Sequence, residues 1–302
     1  QRWKRSTRAT ARLSPTLRRS ANVAPKDDVP STEASLSTWL DFIGRIHPRE
    51  IELGLDRVRR VAERLGLTKP ATRVITVAGT NGKGATVKTL EVLLEAAGHA
   101  TGAYTSPHIL RFNERIRLRE VEAEDRALTT CFARIEACRG GDSLSYFEFT
   151  TLAALMLFAD SDLDYALLEV GLGGRLDAVN LVDPDLCIIT NISLDHEDWL
   201  GRGRENIGAE KAGILRADVP FVCADRDPPE SVLRRARELA VTPLLIERDF
   251  AASRGGDAVD GWEFRYRSAQ GSEQRRRSLP RPALNLDNVG AAMQGRAALG
   301  AL

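Results

Sequence analysis

Residues 74–86 read Val74-Ile75-Thr76-Val77-Ala78-Gly79-Thr80-Asn81-Gly82-Lys83-Gly84-Ala85-Thr86. The β-branched, apolar run Arg73 to Ala78 has the composition of a strand buried on both faces. It breaks into a glycine-rich turn. Helical spacing then begins with Val87, Leu90, Leu93, Leu94 and Ala97, and Gly98 suits the left-handed position that closes a helix. Strand, turn and helix start together make a phosphate cradle. The glycines let backbone N–H groups turn inward, the helix N-terminus adds partial positive charge, and Lys83 reaches the outer phosphates. A tight turn that merely held a lysine would not need both flanking elements. The residue after Lys83 is Gly84, so the hydroxyl that ligates magnesium in the usual kinase or GTPase loop is absent, and a metal must be held from elsewhere.

The same alternation extends outward from this unit. Before it, Leu36 to Arg45 and Asp56 to Gly66 carry helical spacing. After it, His99 to Thr105 is a second strand, ending at Ser106-Pro107-His108, where a serine sits over the crevice at the carboxyl ends of the strands. Glu124 to Cys138 is an amphipathic helix. Tyr146 to Ala159 is apolar nearly all round and predicts a buried helix, in whose first turn Glu148 is a carboxylate in need of a partner. Tyr165 to Gly171 is a strand with Glu169 near its end, the place from which an acid holds magnesium beneath a triphosphate. Leu186 to Asn191 is another strand, leading to Asp195-His196; His196 is singled out as ending a strand in the sheet that carries Glu169 and the phosphate loop. A helix from Glu205 to Leu215 bearing Lys211, a strand Val219 to Cys223, a helix Pro229 to Ala240 and a strand Pro243 to Glu247 complete the pattern. The fold class is α/β, a doubly wound, mostly parallel sheet with a P-loop. Trp262, Phe264 and Tyr266 alternate with charged residues before a Gly-Ser turn, which predicts a small β-hairpin with Arg275-Arg276-Arg277 on its solvated face.

Bulk properties narrow the function classes. The 302 residues are 43% apolar, enough for a sizeable core, and carry a net charge of +1. No run approaches the roughly 18 apolar residues of a membrane span. These numbers argue for neither a nucleic-acid nor a membrane partner. The four cysteines include no Cys-x-x-Cys pair and read as buried thiols in a reducing, cytoplasmic setting. Seven Lys or Arg and no acid precede residue 20, so residues 1–34 read as a disordered basic extension rather than a transit peptide.

Several motifs in this order carry a resemblance. They are Gly79-Thr80-Asn81-Gly82-Lys83-Gly84, Tyr104-Thr105-Ser106-Pro107-His108, Tyr146-Phe147-Glu148-Phe149, Leu168-Glu169-Val170-Gly171-Leu172-Gly173-Gly174-Arg175-Leu176-Asp177-Ala178, Leu194-Asp195-His196 and Glu210-Lys211-Ala212-Gly213-Ile214. From about Leu36 to Leu302 the chain resembles the dihydrofolate synthase/folylpolyglutamate synthase family of the Mur ligase superfamily. The resemblance implies ATP-driven amide formation between a pterin-borne carboxylate (dihydropteroate or a reduced folate) and L-glutamate, by a cytoplasmic monomer. It implies that Thr80, Asn81, Gly82, Lys83, Gly84 and Asn288 hold ATP. Ser106 with Glu169, and Glu169 with His196, would hold two Mg2+ ions. Glu52, Leu53, Gly54, Ser145, Tyr146, Phe147, Glu148, Leu176, Asp177 and Ala178 would line the pterin site. Lys83, Lys211 and His196 would be catalytic, Lys211 as a carbamate. The implied organisation is an ATP-binding domain over 35–278, and a linker with the first helix of a truncated second α/β domain over 279–302. The rest of that domain is missing, so the helix from Asn288 would leave Val289, Ala292, Met293 and Leu299 uncovered. Ala85 departs from the family's usual Ser or Thr. A P-loop kinase or GTPase, a Mur ligase acting on a UDP-sugar acid, and an inactive nucleotide-binding remnant are the competing readings.

Overall fold

Strand alternation divides the core into two layers. In a computed structural model that describes residues 29–49, 52–67, 69–254, 261–280 and 282–300, β1 (Arg73–Ala78) sends Val74 and Ala78 to one face and Ile75 and Val77 to the other, all buried. Strands covered on both sides in this way belong to a sheet wrapped by helices.

In chain order, α1 (Leu36–Ile43) and α2 (Asp56–Leu65) precede β1, and α3 (Lys83–Glu95) follows it. Next come β2 (Thr101–Tyr104), β3 (Ile116–Leu118), β4 (Val121–Glu122), α4 (Asp125–Arg139), α5 (Tyr146–Ala159) and β5 (Tyr165–Glu169). Then follow β6 (Leu186–Ile189), α6 (Glu197–Leu200), α7 (Arg204–Lys211), β7 (Phe221–Cys223), α8 (Glu230–Glu238) and β8 (Pro243–Leu245). The eight-stranded sheet has the order β4-β3-β2-β5-β1-β6-β7-β8. Its six strands from β2 to β8 are parallel, and β3 and β4 extend one edge antiparallel. This is the doubly wound architecture, with the phosphate-loop strand β1 at its centre.

The first layer packs α1, α2, α4, α5, α7 and α8 against one face. Helix α5 is buried nearly all round, as its composition requires, and Ser145 caps it by accepting from the Glu148 N–H while Glu148 returns a bond to the Ser145 N–H. The second layer holds α3 and α9 (Leu286–Ala298) beneath a three-stranded sheet of β9 (Ala251–Arg254), β10 (Gly261–Arg267) and β11 (Glu273–Pro280). The expected hairpin is β10–β11, with Trp262, Phe264 and Tyr266 turned inward.

Three expectations are corrected here. Leu279 and Pro280 do not belong to a linker: they end β11, where Leu279 pairs with Trp262. Strands β3, β4 and β9 were not foreseen; β3 and β4 have three and two residues, too short for a period to show. Most consequentially, α9 is not left uncovered. Val289, Ala292 and Met293 are buried, and Leu299 packs against the same cluster. Small residues permit it: Gly295 lies so close to β6 that a Cβ there would stand 2.9 Å from the Leu186 side chain. Buried Gln294 accepts from the Arg267 N–H (3.0 Å) and donates to the Arg267 carbonyl (2.8 Å), tying α9 to β10. Residues 1–28, most of the basic extension, lie outside the described residues.

Candidate active site

The carboxyl ends of β1, β5 and β6 open onto one crevice, and the register sets Val77 of β1 between Glu169 of β5 and Ile188 of β6. The loop leaving β1 is held by the chain leaving β6. Thr80 N–H donates to the Asn191 carbonyl and Asn81 N–H to Asn191 Oδ1, both at 2.8 Å. Thr80 Oγ1 donates to the Ser193 carbonyl (3.2 Å) and accepts from its N–H (3.0 Å). Thr190 Oγ1 donates to the Asn81 carbonyl at 2.7 Å. Gly79, at φ 146°, is demanded by this embrace, since a Cβ would lie 1.8 Å from Thr190 Oγ1. Gly82, left-handed at φ 86°, leads into α3, and a Cβ there would fall 2.3 Å from Asn288 Oδ1. Buried α9 thus delivers Asn288 onto the phosphate loop.

Two lysines converge on one carbonyl. Lys83 Nζ donates to the carbonyls of Gly79 and Thr80, each at 3.1 Å, and Lys211 Nζ, from the end of α7, donates to the Gly79 carbonyl at 3.0 Å. Burial pushes Lys211 down to about 8, and the Lys83 charge adds to the effect against the pull of Asp195 and Asp177. Glu169 is also buried. Burial raises its pKa, against the Ser106 backbone N–H that donates to Oε2 at 3.1 Å and the charges of Lys83, Arg117 and Arg115. The loop passes directly over this carboxylate: a Cβ on Gly84 would be 3.5 Å from Oε2.

Beside the loop lies a cavity of about 260 Å³. Of the residues expected at the pterin site, Glu52, Leu53, Ser145, Phe147, Glu148, Leu176, Asp177 and Ala178 line it, together with Ser106 and His196. Gly54 and Tyr146 stand behind: the Gly54 N–H bonds the Leu176 carbonyl at 3.2 Å, and the Tyr146 ring lies under Arg115. Asp177 Oδ2 accepts from the Leu172 N–H (2.8 Å) and Oδ1 from the Val179 N–H (3.0 Å), yet burial pushes its pKa up to about 7. The partner that Glu148 needs is Arg57. Its Nε donates to Glu148 Oε2 at 2.8 Å and its Nη1 to Glu52 Oε1 at 2.7 Å. His47 continues the chain, between Glu52 Oε2 (3.0 Å) and the Ser143 hydroxyl (2.9 Å). Glu148 Oε1 is buried with no hydrogen-bond partner among the described residues, an acceptor left for a ligand. His196 does not end a strand. It lies beyond β6, left-handed at φ 50°, leading into α6, half-exposed and 3.7 Å from Asp195.

A family model of the Mur ligase middle domain matches residues 77–242, more than half of the chain. The chain belongs to the Mur ligase family. The dihydrofolate synthase/folylpolyglutamate synthase of Escherichia coli (strain K12) is 44% identical to this chain over 274 residues, which are 90% of this chain and 62% of that protein. A solved structure of E. coli FolC in complex with DHPP and ADP superposes with a TM-score of 0.85 at 43% identity, covering 90% of this chain and 64% of that one. A bifunctional folylpolyglutamate synthase/dihydrofolate synthase with Mn, AMPPNP and L-glutamate bound gives 0.80 at 46% identity, covering 88% and 62%. The chain therefore spans less than two thirds of the length of these relatives.

Within this site, sequence reasoning missed Arg57, His47 and Arg115. The signal for Arg57 was indirect: a buried Glu148 requires a cation. Arg115 lies in the run Arg111-Phe112-Asn113-Glu114-Arg115-Ile116-Arg117, where strand alternation would put Arg115 and Arg117 on the face opposite Ile116.

Proposed function

We propose that the chain binds ATP and a pterin-borne carboxylic acid, dihydropteroate or a reduced folate, and takes part in joining L-glutamate to it with formation of ADP. The observation that carries this reading is one cavity whose lining joins the acids Glu52, Glu148 and Asp177 and apolar side chains to Ser106 and His196. An acidic end suits a heterocycle rich in N–H donors, and Glu148 Oε1 is an acceptor waiting for one. The names and bound ligands of the relatives support the same assignment.

The chemistry follows from the placement. A carboxylate oxygen attacks the γ-phosphorus, the bond from that phosphorus to the β-bridging oxygen breaks, and ADP departs. The neutral glutamate amine then adds to the acyl carbon, phosphate is expelled as the C–O bond breaks, and the nitrogen gives up a proton to the departing phosphate or to water. First-turn N–H groups of α3 and the Lys83 ammonium, which in this state rests on loop carbonyls, bind the phosphates as charge builds on them. Asn288 closes the loop from the α9 side. Glu169, with Ser106 and His196, would hold Mg2+, which neutralises the charge of the phosphates when bound. The donor set fits: Glu169 is a buried carboxylate with Ser106 held against it, and Mg2+ favours one or two carboxylates with phosphates and water completing its shell. With its pKa at about 8, Lys211 has a neutral fraction whose nitrogen can attack CO2, releasing a proton and leaving a carbamate anion at the phosphate loop. We place the protein in the cytoplasm as a monomer. Four unpaired cysteines support a reducing compartment.

The test is ADP release and glutamate incorporation with dihydropteroate, tetrahydrofolate or a UDP-linked muramyl acid as the acid. Product from either pterin supports the reading. Turnover of the UDP-linked acid alone overturns it.

A further inference from the structure

The cavity beside the phosphate loop has a polarity that the pterin-site residues do not account for. Arg115 is the one Lys or Arg among the described residues that line it. The cations nearby are spoken for: Arg57 by Glu52 and Glu148, Arg117 by buried Glu91, and Lys83 and Lys211 by the loop carbonyls. Arg115 has no carboxylate within ion-pair distance among the described residues. Its Nε donates to His108 Nδ1 at 2.8 Å, and neither Nη1 nor Nη2 has an acceptor among them. The guanidinium is held in place without being neutralised, with its carbon 5.9 Å from the centre of the Phe112 ring and 5.6 Å from that of Tyr146. Its charge opposes the upward pull of burial on Tyr104 and Tyr146.

A fixed guanidinium with two free N–H edges is a fork for a carboxylate. Resting on the reading of the cavity as a pterin-acid site, we propose that Arg115 binds the carboxylate of the acid substrate, while Glu52, Glu148 and Asp177 meet its ring end. The neighbours agree with this direction. Arg115 shares the cavity wall with Ser106 and Pro107, and the Ser106 N–H bonds Glu169 at the edge of the phosphate loop, so an acid held by Arg115 lies on the ATP side. A carboxylate at the other end would face Glu52 and Glu148, two acids that share the one Arg57.

The experiment is a binding measurement without ATP, so that no step of the reaction is needed. Dihydropteroate and its decarboxylated counterpart, which keeps the ring and the aniline, are titrated by fluorescence quenching into the unmodified chain, Arg115→Met and Arg115→Lys. The unmodified chain is expected to favour the acid by about 10- to 100-fold, the range for a hydrogen bond to a charged group. Arg115→Met should bind the two ligands equally, and Arg115→Lys should keep part of the preference. A preference in Arg115→Met equal to that of the unmodified chain overturns the proposal, as does no preference in the unmodified chain. Should Arg115→Met not fold, shown by loss of its cooperative thermal transition, Arg115→Lys decides: an unchanged preference there overturns the proposal and a reduced one supports it. Failure of both ligands to bind the unmodified chain is a different outcome, which overturns the pterin reading itself and takes this inference with it.

Discussion

Replacing Lys211 with methionine should stabilise the protein near neutral pH and remove its function. In the folded chain the Lys211 proton is held at about 8, against an ordinary 10.5. Between those values the unfolded chain keeps the proton and the folded chain does not, so folding stability rises with pH across that window. Below pH 8 both states are protonated and the penalty is present in full. It amounts to about 3 kcal/mol at pH 7, at 1.36 kcal/mol for each tenfold change in proton affinity. Methionine fills a similar volume and carries no proton. The bond from Nζ to the Gly79 carbonyl is lost at every pH, so the informative quantity is how the stability gap changes with pH. The gap in favour of Lys211→Met should narrow by about 2 kcal/mol between pH 7 and pH 9.5.

Urea unfolding followed by tryptophan fluorescence, at pH 7, 8.5 and 9.5 in CO2-free buffer, measures that gap. In labelled bicarbonate at pH 8 the unmodified chain should in addition show a carbamate carbon resonance that Lys211→Met lacks. A gap that is the same at pH 7 and pH 9.5 would refute the argument that burial and Lys83 hold Lys211 poised to lose its proton. Such a lysine is a cost to the fold that only function explains.

Lys83→Ala should cut ADP formation by about 100-fold or more, because phosphoryl transfer relies on electrostatic positioning; a loss within tenfold would mean the loop is misassigned. Gly79→Ala should destabilise by about 2–4 kcal/mol in thermal unfolding, since its Cβ meets Thr190 Oγ1 at 1.8 Å; Gly79→Ala with Thr190→Ala should recover part of that, and no recovery would show that backbone strain alone is responsible. Arg117→Met should cost about 3–5 kcal/mol, because fully buried Glu91 loses its main partner, whereas Glu91→Met with Arg117→Met should lie well above the single variant; equal stability of single and double variants would contradict the pairing. Glu169→Gln should raise the Mg2+ concentration needed for half-maximal activity, and an unchanged titration would remove Glu169 from the metal site.

What could be read from the sequence follows from the range over which each feature is encoded. The β1–loop–α3 unit is legible because strand, glycines, lysine and helix lie within about two dozen consecutive residues, and α5 is legible because a uniformly apolar run has only one place to go. Helix α9 was misjudged for the opposite reason. Its Gly290, Ala291, Ala292 and Gly295 look weakly apolar one at a time, but small size allows α9 to sit against β6 and α3, and that benefit exists only where a matching surface is present. The cavity divides along the same line. Its acids are marked by local motifs, whereas the cation that makes Glu148 tolerable comes from Arg57, 91 positions away. A buried carboxylate in a sequence announces that a cation exists without saying which arginine supplies it. Arg115 sharpens the point. In the sequence it is one basic residue of several between Arg111 and Arg119, and its neighbours Arg111 and Arg117 find carboxylates in Glu122 and Glu91. Only the folded chain singles it out as the member of that run facing the cavity with its charge unpaired. A charge that the protein leaves unpaired in a cavity is most economically explained by a ligand that brings the opposite one.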